Sequence, residues 1–175
     1  MALAALTASC SAPSVSVMPF VASSSLDGSV ASSGGGVSAS TDLGSLGVGD
    51  AEVGFGGRID LIGPSSQWSI THTASNFKGE GVMSADLDLG GATFETDLDV
   101  ATNMDMTTTS VLWTHNWGLG DTAHFGLGLG VTALGIAMQV TEEISGETGK
   151  MDETLPIPLL GLRLGGDIGP VRVEA

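Results

Sequence analysis

Apolar and polar residues alternate along much of the chain, and the longest uncharged stretch shows the pattern most clearly. Residues 122–140 read TAHFGLGLGVTALGIAMQV. A period of two places Phe125, Leu127 and Leu129 on one side and His124 with several glycines on the other, as in a β-strand. As a helix, the same stretch would contain four glycines, each costing about 1 kcal/mol relative to alanine. The pattern therefore predicts a strand with one apolar face and one small, hydrophilic face.

Alternation recurs in further segments, of which residues 52–62 are the clearest. Their apolar side chains share one face, and Glu52, Arg58 and Asp60 share the other. A change of parity of the large residues after Ala133 predicts a β-bulge. We therefore expect an all-β, antiparallel fold with strands at 37–43, 52–62, 67–75, 107–117, 123–140, 155–165 and 171–175.

The connections between these strands alternate in length. Short turns are expected at 63–66, 118–121 and 166–170, where glycine and proline cluster. Long connections are expected at 75–106 and 141–154, and they contain Lys78 and Lys150. The first includes a hairpin around Gly90-Gly91, a pair suited to a two-residue turn with positive φ. Such a rhythm is typical of membrane barrels with short turns at one end and long loops at the other.

Composition favours strands that face lipid over strands that face water. The chain has 175 residues, enough for one domain, with 27 glycines and no tyrosine. Its 5 basic and 20 acidic residues make nucleic acid an improbable partner, because binding there depends on neutralising phosphates. Mean hydropathy is +0.31, yet no stretch predicts a transmembrane helix. Strands with one apolar and one polar face suit a barrel that turns the apolar face to lipid.

On this pattern, and on strings such as GFGGRIDL and PIPLLGLRLG, residues 36–175 resemble the small bacterial outer-membrane β-barrels of about eight strands. The resemblance implies an antiparallel up-and-down transmembrane β-barrel with a protruding extracellular hairpin, located in the bacterial outer membrane. It implies a structural or surface-interaction role without catalysis, contact with outer-membrane lipid and lipopolysaccharide, and insertion by the barrel-insertion machinery. Aromatic residues expected at the two membrane interfaces are Phe55, Trp68, Trp113, Trp117 and Phe125, with Phe77 near a long loop.

The N-terminal part is expected to lie outside the barrel. Residues 1–22 resemble a truncated signal or lipoprotein-like export segment, and Cys10 in LTASC is either a lipidation site or an incidental small residue. Residues 23–36 are rich in serine and glycine and predict a flexible tether. The barrel would then comprise residues 37–175 and be incomplete, because seven strands are predicted where such barrels have an even number.

Three groups of polar residues are candidates for chemistry. Carboxylates on one side of the predicted hairpin could hold Ca²⁺ or another cation, or could form a solvated face: Asp86, Asp88, Glu95, Asp97 and Asp99. The expected lumen charges, which we expect to pair with one another, are Glu52, Arg58, Asp60 and Arg163. His72, His115 and His124 are candidates for metal ligands or for the base of a lipid-A-modifying hydrolase.

Two alternatives to a non-catalytic barrel remain at this point. One is that hydrolase, although the histidines fall on different predicted strands with no paired spacing. The other is a soluble secreted or lipid-anchored β-protein that binds a ligand or Ca²⁺ through the acidic hairpin. We expect no enzyme and no cofactor other than the possible Ca²⁺.

Overall fold

A computed structural model describes residues 13–34, 37–119, 123–168 and 171–174, and every regular element in these ranges is a β-strand. The predicted all-β, antiparallel class is therefore confirmed. The strands are β1 (Ser14–Ser24), β2 (Ser29–Gly34), β3 (Val37–Asp42), β4 (Glu52–Ile62), β5 (Ser66–Val82), β6 (Leu87–Leu89), β7 (Ala92–Phe94), β8 (Asp99–Leu119), β9 (Ala123–Glu142), β10 (Thr148–Ile168) and β11 (Val171–Glu174).

Seven strands form one antiparallel sheet in the order β1-β4-β5-β8-β9-β10-β11. Each strand pairs with the next one of the sheet along the chain, so the sheet is an up-and-down meander. Two hairpins, β2–β3 and β6–β7, interrupt the meander as separate two-stranded ladders. Within the described residues β1 and β11 do not pair with each other, so the sheet does not close into a barrel there.

The sheet is strongly curled. A side-chain hydrogen bond runs from the Arg163 guanidinium on β10 to Gln67 on β5, although three inter-strand spacings, about 14 Å, separate these strands along the sheet. A cavity of about 580 Å³ beneath this bond has lining residues on β1, β4, β5, β8, β9 and β10. We call the face that lines this cavity the inner face and the opposite one the outer face. The end of the sheet that carries the 63–65 turn is the turn half, and the other end is the distal half.

A hydrophobic core fills the inner face of the distal half. Phe77, Val100 and Val140 come from three adjacent long strands and are fully buried. Apolar residues of the two hairpins and of the 43–50 segment pack against them, among them Leu46, Leu87 and Phe94. The core therefore lies between one end of the sheet and the segments that fold back over it.

The two hairpins and the 43–50 segment together form a cap over this core. Glycines on the inner face of the sheet let the cap approach the sheet backbone. A Cβ atom at Gly79 would lie 1.9 Å from the carbonyl oxygen of Gly47, and one at Gly81 would lie 2.0 Å from that of Ser45. The Val82 amide donates to the Ser45 carbonyl at 2.9 Å. The 43–50 segment thus rests directly on the backbone of β5, where any side chain would separate them.

The structure changes the predicted set of wall strands. Ser14–Ser24, which we had assigned to the export segment and tether, forms β1 and pairs along its whole length with β4. Val37–Asp42, the predicted first wall strand, is instead β3 and pairs with Ser29–Gly34 in a cap hairpin. The tether assignment failed because serine-rich alternation such as that in residues 29–34 satisfies a two-stranded ladder as readily as a coil.

The long connections predicted at 75–106 and 141–154 are mostly strand. β5 and β8 pair from Ser66↔His115 to Val82↔Asp99, and β9 and β10 pair as far as Thr141↔Thr148. Pro156 and Pro158, expected at the start of a strand, lie within β10. Among the described residues the other edge of β10 is unpaired over residues 148–164, which is where a sheet tolerates proline.

Two further predictions are wrong. The bulge after Ala133 is absent, because the one-to-one register between β8 and β9 is unbroken from Leu119↔Ala123 to Val100↔Glu142. The hairpin at Gly90-Gly91 does form, with φ of 60° and 89° at the two glycines, but it does not protrude. Its apolar side chains are buried in the core, and its turn lies against the backbone of Lys150.

Candidate functional site

The outer face of the turn half is an exposed apolar surface, which we call the apolar belt. On β4, β9 and β10 its leucines, isoleucines and phenylalanines alternate with inner residues that are polar or glycine. Leu129 is 60% exposed, Phe55 70% and Leu160 88%. The exposed belt residues are Val15, Val17, Val21, Val53, Phe55, Ile59, Leu61, Trp68, Ile70, Trp117, Leu119, Leu127, Leu129, Val131, Leu160, Leu162 and Leu164.

The belt is continuous because the strand register aligns its members in rows across the sheet. One row joins six strands through the pairs Val15↔Leu61, Leu61↔Trp68, Trp68↔Trp113, Trp113↔Leu129 and Leu129↔Leu160. Side chains directly opposite each other on neighbouring strands share a face and lie in contact range. The alternation seen in each segment separately therefore becomes one sheet-wide surface.

Aromatic residues cluster on the belt close to the turn end. The rings of His115 and Trp117 meet edge to face with centroids 4.7 Å apart, and Trp117 stacks on Phe125 at 5.8 Å. Trp113 lies 6.0 Å from His115. An apolar groove of about 680 Å³ is lined by Trp113, His115 and Trp117 together with Leu127, Leu129, Leu160 and Leu162. Since Trp68 pairs with Trp113, all three tryptophans of the chain lie on the belt.

The inner face of the same half carries the charged cluster that the sequence indicated. Arg58 Nε lies 2.9 Å from an Asp60 carboxylate oxygen, and this carboxylate also accepts from Ser69 Oγ at 2.5 Å. Gln67 donates to Ser69 at 3.2 Å and accepts from Arg163. Asp60, Gln67 and Ser69 are buried. The cluster links β4, β5 and β10, and it fixes the curl of the sheet from inside.

Sequence reasoning missed Gln67 and Ser69 and overextended the cluster to Glu52. Uncharged polar residues that alternate in a strand are common on any wet face, so nothing in their pattern singled out these two. Glu52 does share the inner face of β4 with Asp60, but it lies at the far end of the strand, paired with Ser24. The cluster is compact because Asp60 is buried against Arg58 and Ser69. Arg163 reaches the cluster because the sheet is curled.

The two faces exchange character along the strands. On β9 the inner face changes from glycine at positions 126, 128 and 130 to Leu134, Ile136 and the buried Met138. On the outer face of the same strand, Leu127 and Leu129 give way to the exposed Gln139. The apolar surface therefore lies outside in the turn half and inside in the distal half. This exchange, and not a bulge, explains the change of parity after Ala133.

The acidic residues of the hairpin do not converge. Asp86 caps the hairpin by accepting from the Thr96 amide at 2.8 Å, and Asp97 adopts a positive φ of 66°. Asp88 is exposed on β6, Glu95 on the loop after β7, and Asp99 at the start of β8. Within the described ranges no three His, Cys, Asp or Glu side chains are arranged to hold a metal ion. The geometry thus gives the Ca²⁺ hypothesis no support.

The three histidines are likewise kept apart. His72 lies on the outer face of β5 and shares a hydrogen bond of 2.9 Å with Thr109. His115 belongs to the aromatic cluster, whereas His124 lies on the inner face beside Arg163 in the wall of the polar cavity. The structure therefore places the three histidines in three separate surroundings. Phe77, expected at an interface, is buried in the core, and Cys10 lies outside the described residues.

No helix among the described residues is long and apolar enough to cross a membrane. No family model matches the sequence, and no curated protein and no solved structure matches it significantly.

Proposed function

We propose that this protein is a small bacterial outer-membrane β-barrel with a structural or surface-interaction role and no catalysis. The observation that carries the proposal is the exchange of faces along the strands. A protein in water needs its apolar face inside along the whole strand, and only the distal half meets this requirement. The turn half has the opposite arrangement, which is the one that a hydrocarbon solvent selects.

The size of the belt supports this choice of solvent. On β8 the apolar outer residues run from position 111 to 119, about 27 Å along the strand at a rise of about 3.4 Å per residue. With a strand tilt of about 40° this corresponds to roughly 21 Å along the membrane normal, close to the apolar band of about 25 Å on outer-membrane barrels. In water, a patch of this extent would be an aggregation surface.

The inner cluster also suits a barrel interior. Arg58, Asp60 and Arg163 would be costly in contact with lipid, but on the inner face they satisfy one another and neighbouring amides and hydroxyls. Closure of the sheet in the membrane is part of the proposal, because each unpaired backbone group of β1 and β10 in hydrocarbon would cost several kcal/mol.

The distal half would then project from the outer leaflet. Its outer face is polar and its inner face is filled by the capped core, in which Phe77 and Val140 are fully buried. In a closed barrel this core would fill the interior of the distal half. We therefore propose a surface-exposed barrel that displays its distal half, and not a porin-type channel.

The proposal is tested by diluting the unfolded protein either into phospholipid vesicles or into aqueous buffer. Diluted from urea into phospholipid vesicles, the protein should acquire β-structure, migrate differently on gels when unboiled, and resist protease over the turn half. Diluted into aqueous buffer alone, it should aggregate. A monodisperse, folded protein in buffer without detergent would refute the proposal and favour a soluble secreted or lipid-anchored β-protein.

A further inference from the structure

The outer face of the distal half carries a polar row that crosses four strands. Lys78 on β5 pairs with Asn103 on β8, Asn103 with Gln139 on β9, and Gln139 with Lys150 on β10. Lys78 and Lys150 are the only lysines in a chain of net charge −15, and the sequence had placed both in loops. The register instead puts them at the two ends of one line of side chains, which we call the lysine row.

The lysine row borders two depressions in the outer surface. One, of about 530 Å³, has Lys78 and Thr141 on its wall, and the other, of about 180 Å³, has Lys150 and Asp152. Asn103 and Gln139 belong to both. Lys78, Gln139 and Lys150 are exposed. Cationic groups thus lie at both ends of a surface whose middle offers amide donors and acceptors.

The chemistry of the row matches a phosphorylated oligosaccharide. Ammonium groups bind phosphate as point charges, while side-chain amides and hydroxyls match the donors and acceptors of sugar hydroxyls. Three strand spacings separate the lysines at the backbone, about 14 Å, a span that suits an oligosaccharide better than a single phosphate. The neighbouring carboxylates Glu80, Asp105 and Asp152 would repel an unrelieved polyanion, so phosphates are favoured only at the two ends.

The distance between the lysine row and the apolar belt indicates which membrane lipids can reach the row. From Ile70, the last belt residue on β5, to Lys78 is about 27 Å along the strand, or roughly 21 Å along the normal at a tilt of about 40°. The headgroup layer of a phospholipid bilayer extends only about 5–8 Å beyond the hydrocarbon. Along β5 and β10, the strands that carry the two lysines, a phospholipid headgroup does not reach the row, whereas the sugar chain of a glycolipid does.

From these observations we propose that the lysine row is a docking surface for the phosphorylated core oligosaccharide of the lipopolysaccharide that surrounds the barrel. The inference rests on the proposed function, because the row meets glycolipid sugars only if the belt is in the membrane. Beyond the proposed function, the inference names the binding site, the chemical group that is recognised and the part of the glycolipid that carries this group.

The test uses the full chain, refolded in detergent, and three probes: a lipopolysaccharide with a phosphorylated core, its lipid A portion alone, and the released core oligosaccharide. Binding is followed by native mass spectrometry. The first probe should bind about tenfold more tightly than lipid A, a ratio in keeping with two exposed charge contacts. The double variant Lys78→Gln with Lys150→Gln should lose this preference. Asn103→Ala, which leaves the charge unchanged, should weaken it in part.

A matched control distinguishes an effect of the lysine row from an effect of the net charge of the protein. Thr93→Glu with Ile144→Glu adds two negative charges at exposed positions that do not belong to the row, so the net charge changes from −15 to −17, as it does in the double lysine variant. The control should keep the preference.

Equal loss in both double variants, or equal binding of lipid A and of the lipopolysaccharide with the phosphorylated core, would overturn the inference. A protein that refolds in detergent and shows the heat-dependent gel shift but lacks the preference refutes the docking surface alone. A protein that folds in buffer without detergent refutes the proposed function itself.

Discussion

Leu129 lies on the apolar belt and offers a direct probe of the solvent that the belt faces. It is 60% exposed on β9, between Trp113 and Leu160 in the six-strand row. We predict that Leu129→Arg destabilises the membrane-inserted protein by about 2–4 kcal/mol, the cost of an arginine at the midplane on the lipid face of a barrel. This corresponds to a factor of roughly 30 to 900 in the folding equilibrium.

Gln139→Arg is the matched control, because position 139 lies on the same strand and the same face ten residues further along. The distance is about 34 Å along the strand, well beyond the belt, so we expect a change of about 0–1 kcal/mol. Both variants are compared with the parent by equilibrium urea unfolding from zwitterionic phospholipid vesicles, followed by tryptophan fluorescence.

If Leu129→Arg and Gln139→Arg lower the free energy of unfolding by the same amount, the belt does not face lipid within the proposed boundary. In water, an arginine in place of an exposed leucine changes stability by only about 0.5 kcal/mol in either direction, so a soluble sheet would give two small values. A large cost at both positions would contradict the proposed boundary of the belt.

Three other substitutions test separate parts of the structure, all by the same unfolding measurement. Phe94→Ala removes a ring that is 1% exposed in the capped core and should cost about 3–5 kcal/mol; a cost below 1 kcal/mol would show that the hairpin does not pack there. Asp60→Asn should cost about 1.5–3 kcal/mol, since it weakens charged hydrogen bonds, and unchanged stability would contradict its role in holding the curl. Gly79→Ala should cost at least about 1–3 kcal/mol through overpacking against the 43–50 segment, whereas Gly57→Ala, with nothing within 4 Å of its Cβ position, should cost little. Equal effects at the two glycines would refute the close approach.

Local alternation sufficed to predict the strands whose two faces contrast strongly. Residues 52–62 were predicted with the observed bounds, because every charged residue there shares one face. The same rule failed for Ser14–Ser24, where small serines and valines gave no decisive contrast, and for the distal extensions of β5 and β8, where glycine and threonine interrupt the pattern.

Properties that depend on several strands at once could not be predicted from single segments. The parity change after Ala133 was visible, but its cause is the core built by Phe77, Met104 and the cap, which lies far away in sequence. Likewise, the pairing of Gln67 with Arg163 depends on the curl of the sheet, and the alignment of Lys78 with Lys150 depends on the combined register of three strand pairs. The periodicity within one strand carries no information on the curl of the sheet or on the register of other strand pairs.

The central claim, that the apolar belt lies in the hydrocarbon of a membrane, is tested most directly by quenching of the three tryptophans with lipids brominated at known depths in the acyl chain. Trp68 and Trp113 form a cross-strand pair, so variants that retain only one or the other should be quenched most strongly at the same depth. Trp117 lies four residues nearer the turn on β8, so Trp113 and Trp117 lie on opposite sides of the middle of the 111–119 span of the belt. A variant that retains only Trp117 should therefore be quenched within the acyl chains at a depth similar to that of Trp113. Tryptophans that remain unquenched at every depth in the folded, vesicle-bound protein would contradict the claim.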